Sequence, residues 1–258
     1  MPVTLHVQTH GHGPDVVLLH GWAMHGGVFA PLVARLRDRC TLHVVDLPGH
    51  GASRATGIPL TLADSARAIA EAVPRDALWC GWSLGGLVAL HAAAHATPMR
   101  ALAMLCATPC FVRKDDWRWG MSAEIFRDFA SGLREDWRGT LDRFLALEAF
   151  GSDHAKEELR SLRDAVLARG EPAASVLADG LALLETSDLR DALPGLAVPS
   201  AWIAGRRDRL VDPRAMQAAA SLVPGARFGV IDHAGHAPFL THADAVIDAL
   251  QPLLDTRR

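Results

Sequence analysis

The sequence predicts an α/β fold: a mostly parallel sheet covered by helices on both faces, interrupted by a helical insertion. Three observations lead there. Short apolar runs alternate with amphipathic stretches at helical spacing from the N-terminus to about residue 109, the pattern of buried parallel strands joined by helices. The alternation stops between Pro109 and about Asp188, where helical patterns follow one another, and it resumes with Ser200 to Ala204. Within the first of these regimes, Gly81-Trp82-Ser83-Leu84-Gly85 lies between an apolar run and a helix-like one. That is a strand, a tight turn and a helix in one short stretch.

In chain order, Val3 to Gln8 reads as an edge strand and Val16 to Leu19 as a buried one ending in His20-Gly21-Trp22. Gly26 and Gly27 mark a loop before a helix from Phe29 to Arg37, and Thr41 to Asp46 is the next buried strand. The turn-rich loop Leu47-Pro48-Gly49-His50-Gly51 reads as structural, and a helix over Leu62 to Ala72 leads to the strand before Ser83. Ala101 to Cys106 is a further strand. Four helical patterns then cover Glu124 to Leu133, Thr140 to Ala149, Ala155 to Ala168 and Ala173 to Glu185. Arg227 to Ile231 is the last strand and Ala243 to Leu254 the closing helix. Residues 1–109 and 189–258 therefore form one catalytic core, with 110–188 inserted as a helical cap.

Composition narrows the chemistry. A chain of 258 residues with 50% hydrophobic and 21% charged residues can bury one large core. A net charge of -3 gives no general attraction to nucleic acid or anionic membranes. No apolar stretch reaches the length of a membrane span, and the first residues lack a basic start followed by an apolar core, so a cytoplasmic protein is expected; a monomer is expected as well. Cys40, Cys80, Cys106 and Cys110 read as reduced, buried thiols without metal-site spacing. The chain contains no tyrosine, which excludes any mechanism that needs a phenol.

A serine hydroxyl becomes nucleophilic only when a base takes its proton and a third group orients that base. Gly81 and Gly85 let the turn close around Ser83, and the helix after it aims free N–H groups at charge developing there. Asp208 follows the strand ending at Ala204-Gly205, and Asp232-His233-Ala234-Gly235-His236 follows the last strand. Both therefore fall at the carboxyl edge of the sheet, where such folds bind ligands. His236 is the candidate base because Gly235 lets its loop turn back; His233, nearer the strand end, serves the loop itself. Asp208 is the candidate acid, with Asp212 and Asp232 as rivals, although Asp212 before Pro213 has the look of a helix cap. Backbone N–H groups of Leu84 and Trp22 are the candidate oxyanion donors, and the Trp22 indole a candidate wall of the acyl pocket.

The order HGW, DLPGHGAS, GWSLGG, GRRD and GHAP resembles the α/β-hydrolase superfamily. LLHGWAMHGGVF, LHVVDLPGHGAS, LWCGWSLGGLVAL and, in the cap, DRFLALEAFG resemble the pimeloyl-acyl-carrier-protein methyl ester esterases of biotin synthesis. The resemblance implies hydrolysis of a methyl ester through an acyl-enzyme, with acyl-carrier protein as partner and no metal or organic cofactor. It also implies that Phe144, Leu145, Ala146, Leu147 and Glu148 line a substrate channel above Ser83, with Glu148 departing from the amide expected there. An acidic carrier calls for a basic face on the cap. Lys156, Arg160 and Arg163 fall on one helical stripe, with Arg143 one helix earlier. A generic esterase of short acyl esters would share the triad, and so would a binding protein of this fold that has lost turnover.

Overall fold

The computed structural model describes residues 4–255. Seven strands form one sheet in the order β1-β3-β2-β4-β5-β6-β7. They are β1 (Val7–Gly11), β2 (Asp15–Leu19), β3 (Thr41–Val45), β4 (Leu78–Trp82), β5 (Ala101–Leu105), β6 (Ser200–Gly205) and β7 (Arg227–Ile231). All neighbours are parallel except β1, which runs antiparallel to β3 with Val7 opposite Val45 and Gly11 opposite Thr41. The edge strand therefore lies later than the Val3 to Gln8 expected; Val3 falls outside the described residues. An edge strand of mixed polarity carries no continuous apolar signal, so pairing with β3 sets its register.

The central strands β4 and β5 are buried at every position. That is why they read as unbroken apolar runs rather than as alternation. The helices of the core are α1 (Ala30–Leu36), α2 (Leu62–Ala72), α3 (Leu84–Ala94), α8 (Pro213–Ser221), the short α9 (Pro238–Thr241) and α10 (Ala243–Leu254). Helix α3 is buried on nearly all sides, whereas α2 buries only Ser65, Ala66 and Ile69. The helix carrying the site is thus enclosed by the protein. Four consecutive helices lie between β5 and β6, where the helical cap is expected: α4 (Ala123–Glu135), α5 (Trp137–Ala149), α6 (Ala155–Ala168) and α7 (Ala174–Thr186). Between residues 110 and 188 the described backbone forms only isolated bridges, such as Cys110 with Asp188, and no strand.

Polar contacts tie α6, α7 and the segment between them to the loops after β2 and β3. Trp22 Nε1 donates to Leu177 O of α7 at 2.8 Å, and Arg169 donates to both oxygens of the buried Asp46 at 3.1 and 3.0 Å. A ring nitrogen of His25 lies 2.7 Å from Ala165 O on α6. No described helix is long and apolar enough to cross a membrane.

Candidate active site

Ser83 stands between β4 and α3 with φ 53 and ψ -118, a region that side-chain-bearing residues rarely occupy. The turn holds because its glycines admit contacts that no side chain could. A Cβ on Gly81 would overlap the Gly85 carbonyl, and one on Gly85 would overlap the carbonyl of Leu19 in β2. Leu84 is the first residue of α3, so its N–H has no partner within the helix. The loop after β2 presses against the same place. A Cβ on Gly21 would lie 3.2 Å from Ser83 Cβ and 3.0 Å from the Trp82 ring, which puts the Gly21-Trp22 backbone beside Ser83.

His20 fixes that loop. Its Nδ1–H donates to Gly21 O at 2.8 Å and its Nε2 accepts Leu47 N–H at 2.9 Å, so the ring is a neutral tautomer used on both sides. Burial, aided by nearby His50, pulls its pKa down to about 3. Burial likewise pulls His50 down to about 4. The loop from Leu47 to Gly51 therefore supports the backbone beside Ser83.

Asp208 and His236 meet at the carboxyl ends of β6 and β7. His236 Nδ1 lies 2.8 Å from Asp208 Oδ2, while Asp208 Oδ1 accepts the N–H groups of Leu210 at 2.8 Å and Val211 at 2.9 Å. Both side chains are fully buried. Since a carboxylate accepts, Nδ1 carries the hydrogen and Nε2 is left with its lone pair, buried without a hydrogen-bond partner. The His236 loop is tied to the serine turn by Trp82, whose Nε1 donates to His236 O at 2.8 Å. Trp82 is itself fully buried against Phe239, with ring centroids 5.0 Å apart. Truncating such a residue costs about 3–5 kcal/mol, so the serine and histidine segments share a rigid support.

The rivals lie elsewhere. His233 is exposed, with φ 65, and pairs with Asp153 at 2.9 Å. Asp212 caps α8 by accepting Arg214 N–H at 2.8 Å, and Asp232 pairs with Arg206.

A narrow apolar chamber opens over Ser83, walled by Phe111, Phe126, Phe129, Phe144, Leu181 and Leu184. Of the stretch expected to line it, only Phe144 does so. Leu145 faces a groove between α5 and α6 with Leu141 and Val166, Ala146 is exposed, Leu147 is half-buried and Glu148 is buried. The correction follows from geometry: at 3.6 residues per turn, five consecutive helical residues cannot share one wall. The Trp22 indole also sits back from the chamber, packed on Phe144 with ring centroids 4.5 Å apart. The other wall residues come from α4, α7 and the segment before them. Their only sequence signal is the recurrence of aromatic and leucine side chains on one face of each helix.

Glu148 lies behind the Asp208–His236 pair. Its backbone carbonyl accepts His236 N–H at 3.3 Å, yet both carboxyl oxygens are buried without a hydrogen-bond partner. Burial, with Asp208 nearby, pushes its pKa well above the usual carboxyl range, which favours its protonated form. Glu158 of α6 is also fully buried. Its Oε1 accepts hydroxyls from Ser152 at 2.8 Å and Thr241 at 2.6 Å, tying α6 to α9 just beyond His236.

The four cysteines are free and buried. Sequence spacing gave no hint that Cys106 would come together with Asp208 and His236, their ligand atoms all within 4.8 Å. The set fits a metal poorly. Asp208 and His236 are bonded to each other, and burial with Asp208 pushes the Cys106 thiol well above its ordinary value, away from the thiolate a metal needs.

On the cap, Arg163 is taken up by Asp142, with bonds of 2.6 and 2.8 Å, and so leaves the stripe of unpaired bases. Lys156, Arg160 and Arg143 are exposed and have no carboxylate partner among the described residues; Arg143 donates to Thr140 Oγ1 at 2.8 Å.

A family model described as the alpha/beta hydrolase family matches residues 16–249. Over 247 residues the chain is 59% identical to the pimeloyl-acyl-carrier-protein methyl ester esterase of Stenotrophomonas maltophilia (strain K279a), covering 96% of this chain and 95% of the relative. It is 60% identical over 246 residues to the protein of that name in Xanthomonas campestris pv. campestris (strain B100), covering 95% and 97%. Among solved structures it is similar to an esterase from Exiguobacterium antarcticum, with TM-score 0.87, 22% identity and coverage of 98% and 96%. It is also similar to the enol-lactonase from Burkholderia xenovorans LB400, with TM-score 0.83, 24% identity and coverage of 98% and 96%. At these identities the structural likeness is one of fold.

Proposed function

Because this chain belongs to the alpha/beta hydrolase family, and within it to the pimeloyl-acyl-carrier-protein methyl ester esterases, we propose that it hydrolyses the methyl ester at the far end of a pimeloyl chain carried on acyl-carrier protein, with Ser83, His236 and Asp208 as its catalytic triad. The observation that carries the mechanism is the buried, unpartnered Nε2 of His236, whose other nitrogen is committed to Asp208. In that state the ring can only accept a proton at Nε2.

Ser83 Oγ attacks the ester carbonyl and passes its proton to His236 Nε2. Asp208 stabilises the imidazolium that forms and keeps Nδ1–H pointing at itself. The negative charge on the former carbonyl oxygen is met by the N–H groups of Leu84 and Trp22, already aimed by the start of α3 and by the loop that His20 fixes. Collapse breaks the bond to methoxide, which leaves as methanol with the proton from His236. A water then gives its proton to His236, attacks the acyl-enzyme, and releases the carboxylic acid and Ser83. The apolar chamber suits the methylene chain of the acyl group, and no step calls for a metal or organic cofactor.

The exposed Arg143, Lys156 and Arg160 suit an acidic carrier protein. Changing all three to Glu should lower kcat/KM for the carrier-bound ester by roughly tenfold to a hundredfold, mostly through KM, while small-ester hydrolysis is retained. The wild-type value should fall as salt rises. Equal loss on both substrates would point instead to a damaged cap. Carrier-bound turnover indifferent to both the triple change and salt would favour a general esterase of short acyl esters.

A further inference from the structure

Helix α3 begins beside Ser83 and ends in a turn bearing His91 and His95. Residues four apart lie on one helix face, and the two imidazoles stack with centroids 4.0 Å apart and planes at 29°. The turn is closed, since His95 N–H donates to His91 O at 3.1 Å. The side chain repeats the contact: His95 Nδ1 lies 2.9 Å from the same carbonyl. A carbonyl oxygen only accepts, so Nδ1 carries the hydrogen and the Nε2 lone pair points outward. This is the tautomer selection that metal-binding histidines obtain from a carbonyl behind them. Both rings lie on the wall of a groove of about 500 Å³ between α2 and α3, which Glu71, Trp79, Arg75 and Arg67 also line, Arg67 being paired with Asp64. Neither ring is paired with a carboxylate among the described residues.

We propose that His91 and His95 form a two-imidazole site for a borderline divalent cation such as Zn²⁺, with water completing the coordination sphere. Imidazole suits this class of ion, and a pair spaced i, i+4 on a helix presents two ligands to one ion once the stacked rings turn to converge. The bound ion clips the last turn of α3.

Calorimetric titration of the full chain with Zn²⁺ in a non-chelating buffer tests the site, with small-ester turnover and melting temperature followed in parallel. Wild type takes up one ion per chain, and at a hundredfold excess over Kd melts roughly 5–10 °C higher. Turnover stays unchanged. Removal of either ligand, in His91→Ala or His95→Ala, weakens binding by at least roughly tenfold. His95 is exposed, so its variant tests the idea even if His91→Ala folds poorly. Wild-type affinity in the His95→Ala variant would overturn the proposal. So would the absence of binding up to millimolar Zn²⁺, or inhibition in step with binding, which would place the ion on Cys106, Asp208 and His236.

Discussion

Asp208 and Glu148 are neighbouring buried carboxyls with opposite surroundings. Asp208 comes from the loop after β6 and meets donors that include two backbone N–H groups and the His236 ring. Glu148 comes from the cap helix α5 and meets none. Burial alone therefore does not decide what a carboxyl does; the donors around it do. The core supplies a carboxylate able to orient a base, and α5 brings up behind it a carboxyl whose protonated form is favoured. Glu158 lies between these extremes, with two hydroxyls on one oxygen and nothing on the other.

The same acid-to-amide change at the two sites should separate them most widely. Asp208→Asn puts an N–H donor where His236 Nδ1 needs an acceptor, moves the ring hydrogen to Nε2, and should lower kcat by roughly 10³–10⁴-fold with the fold intact. Glu148→Gln should retain turnover within a few-fold at pH 7. Comparable losses in both would mean that Glu148 shares the work of Asp208.

Stability should sharpen the contrast. Glu148 has a folded-state pKa raised above the ordinary 4.5. Its protonated form favours folding fully below 4.5, and that contribution is lost as pH rises through the folded value. The melting temperature of Glu148→Gln relative to wild type should thus increase with pH from 4.5 upward, by roughly 3–5 °C per unit, until Glu148 ionises in the fold. A difference independent of pH would show that Glu148 is charged in the native protein. Burial and the neighbouring Asp208 both act against the anion. The smallest effect belongs to Glu158. Thr241→Val removes one of its two hydroxyl donors, at about 1–3 kcal/mol, which calorimetry should register as a few degrees of melting temperature with turnover reduced only several-fold.

These contrasts mark what could be read from the sequence. The positions of Ser83, Asp208 and His236 were legible because each follows a strand, and local signals, apolar runs ended by glycine-bearing turns, set where strands stop. Asp212 before Pro213 announced α8 in the same way. The cap was legible as four helices but not as surfaces. Which of Phe144 to Glu148 turns toward Ser83 depends on how α5 is rotated against α4, α6 and α7, and the sequence states only that α5 is a helix. The pairing of Arg163 with Asp142 and the isolation of Glu148 likewise arise only when distant segments pack. The start of β1 is not legible for the same reason: its partner, not its own pattern, decides where it pairs.

The central claim, that this triad opens a methyl ester on a carrier-bound pimeloyl chain, is tested most directly by mass spectrometry of that substrate incubated with wild type and with Ser83→Ala. The account predicts that wild type converts the methyl ester to the free acid while the thioester to the carrier survives, and that Ser83→Ala leaves the substrate intact. Conversion by Ser83→Ala at the wild-type rate would contradict it, as would a wild-type enzyme that hydrolyses small esters but leaves the carrier-bound methyl ester untouched.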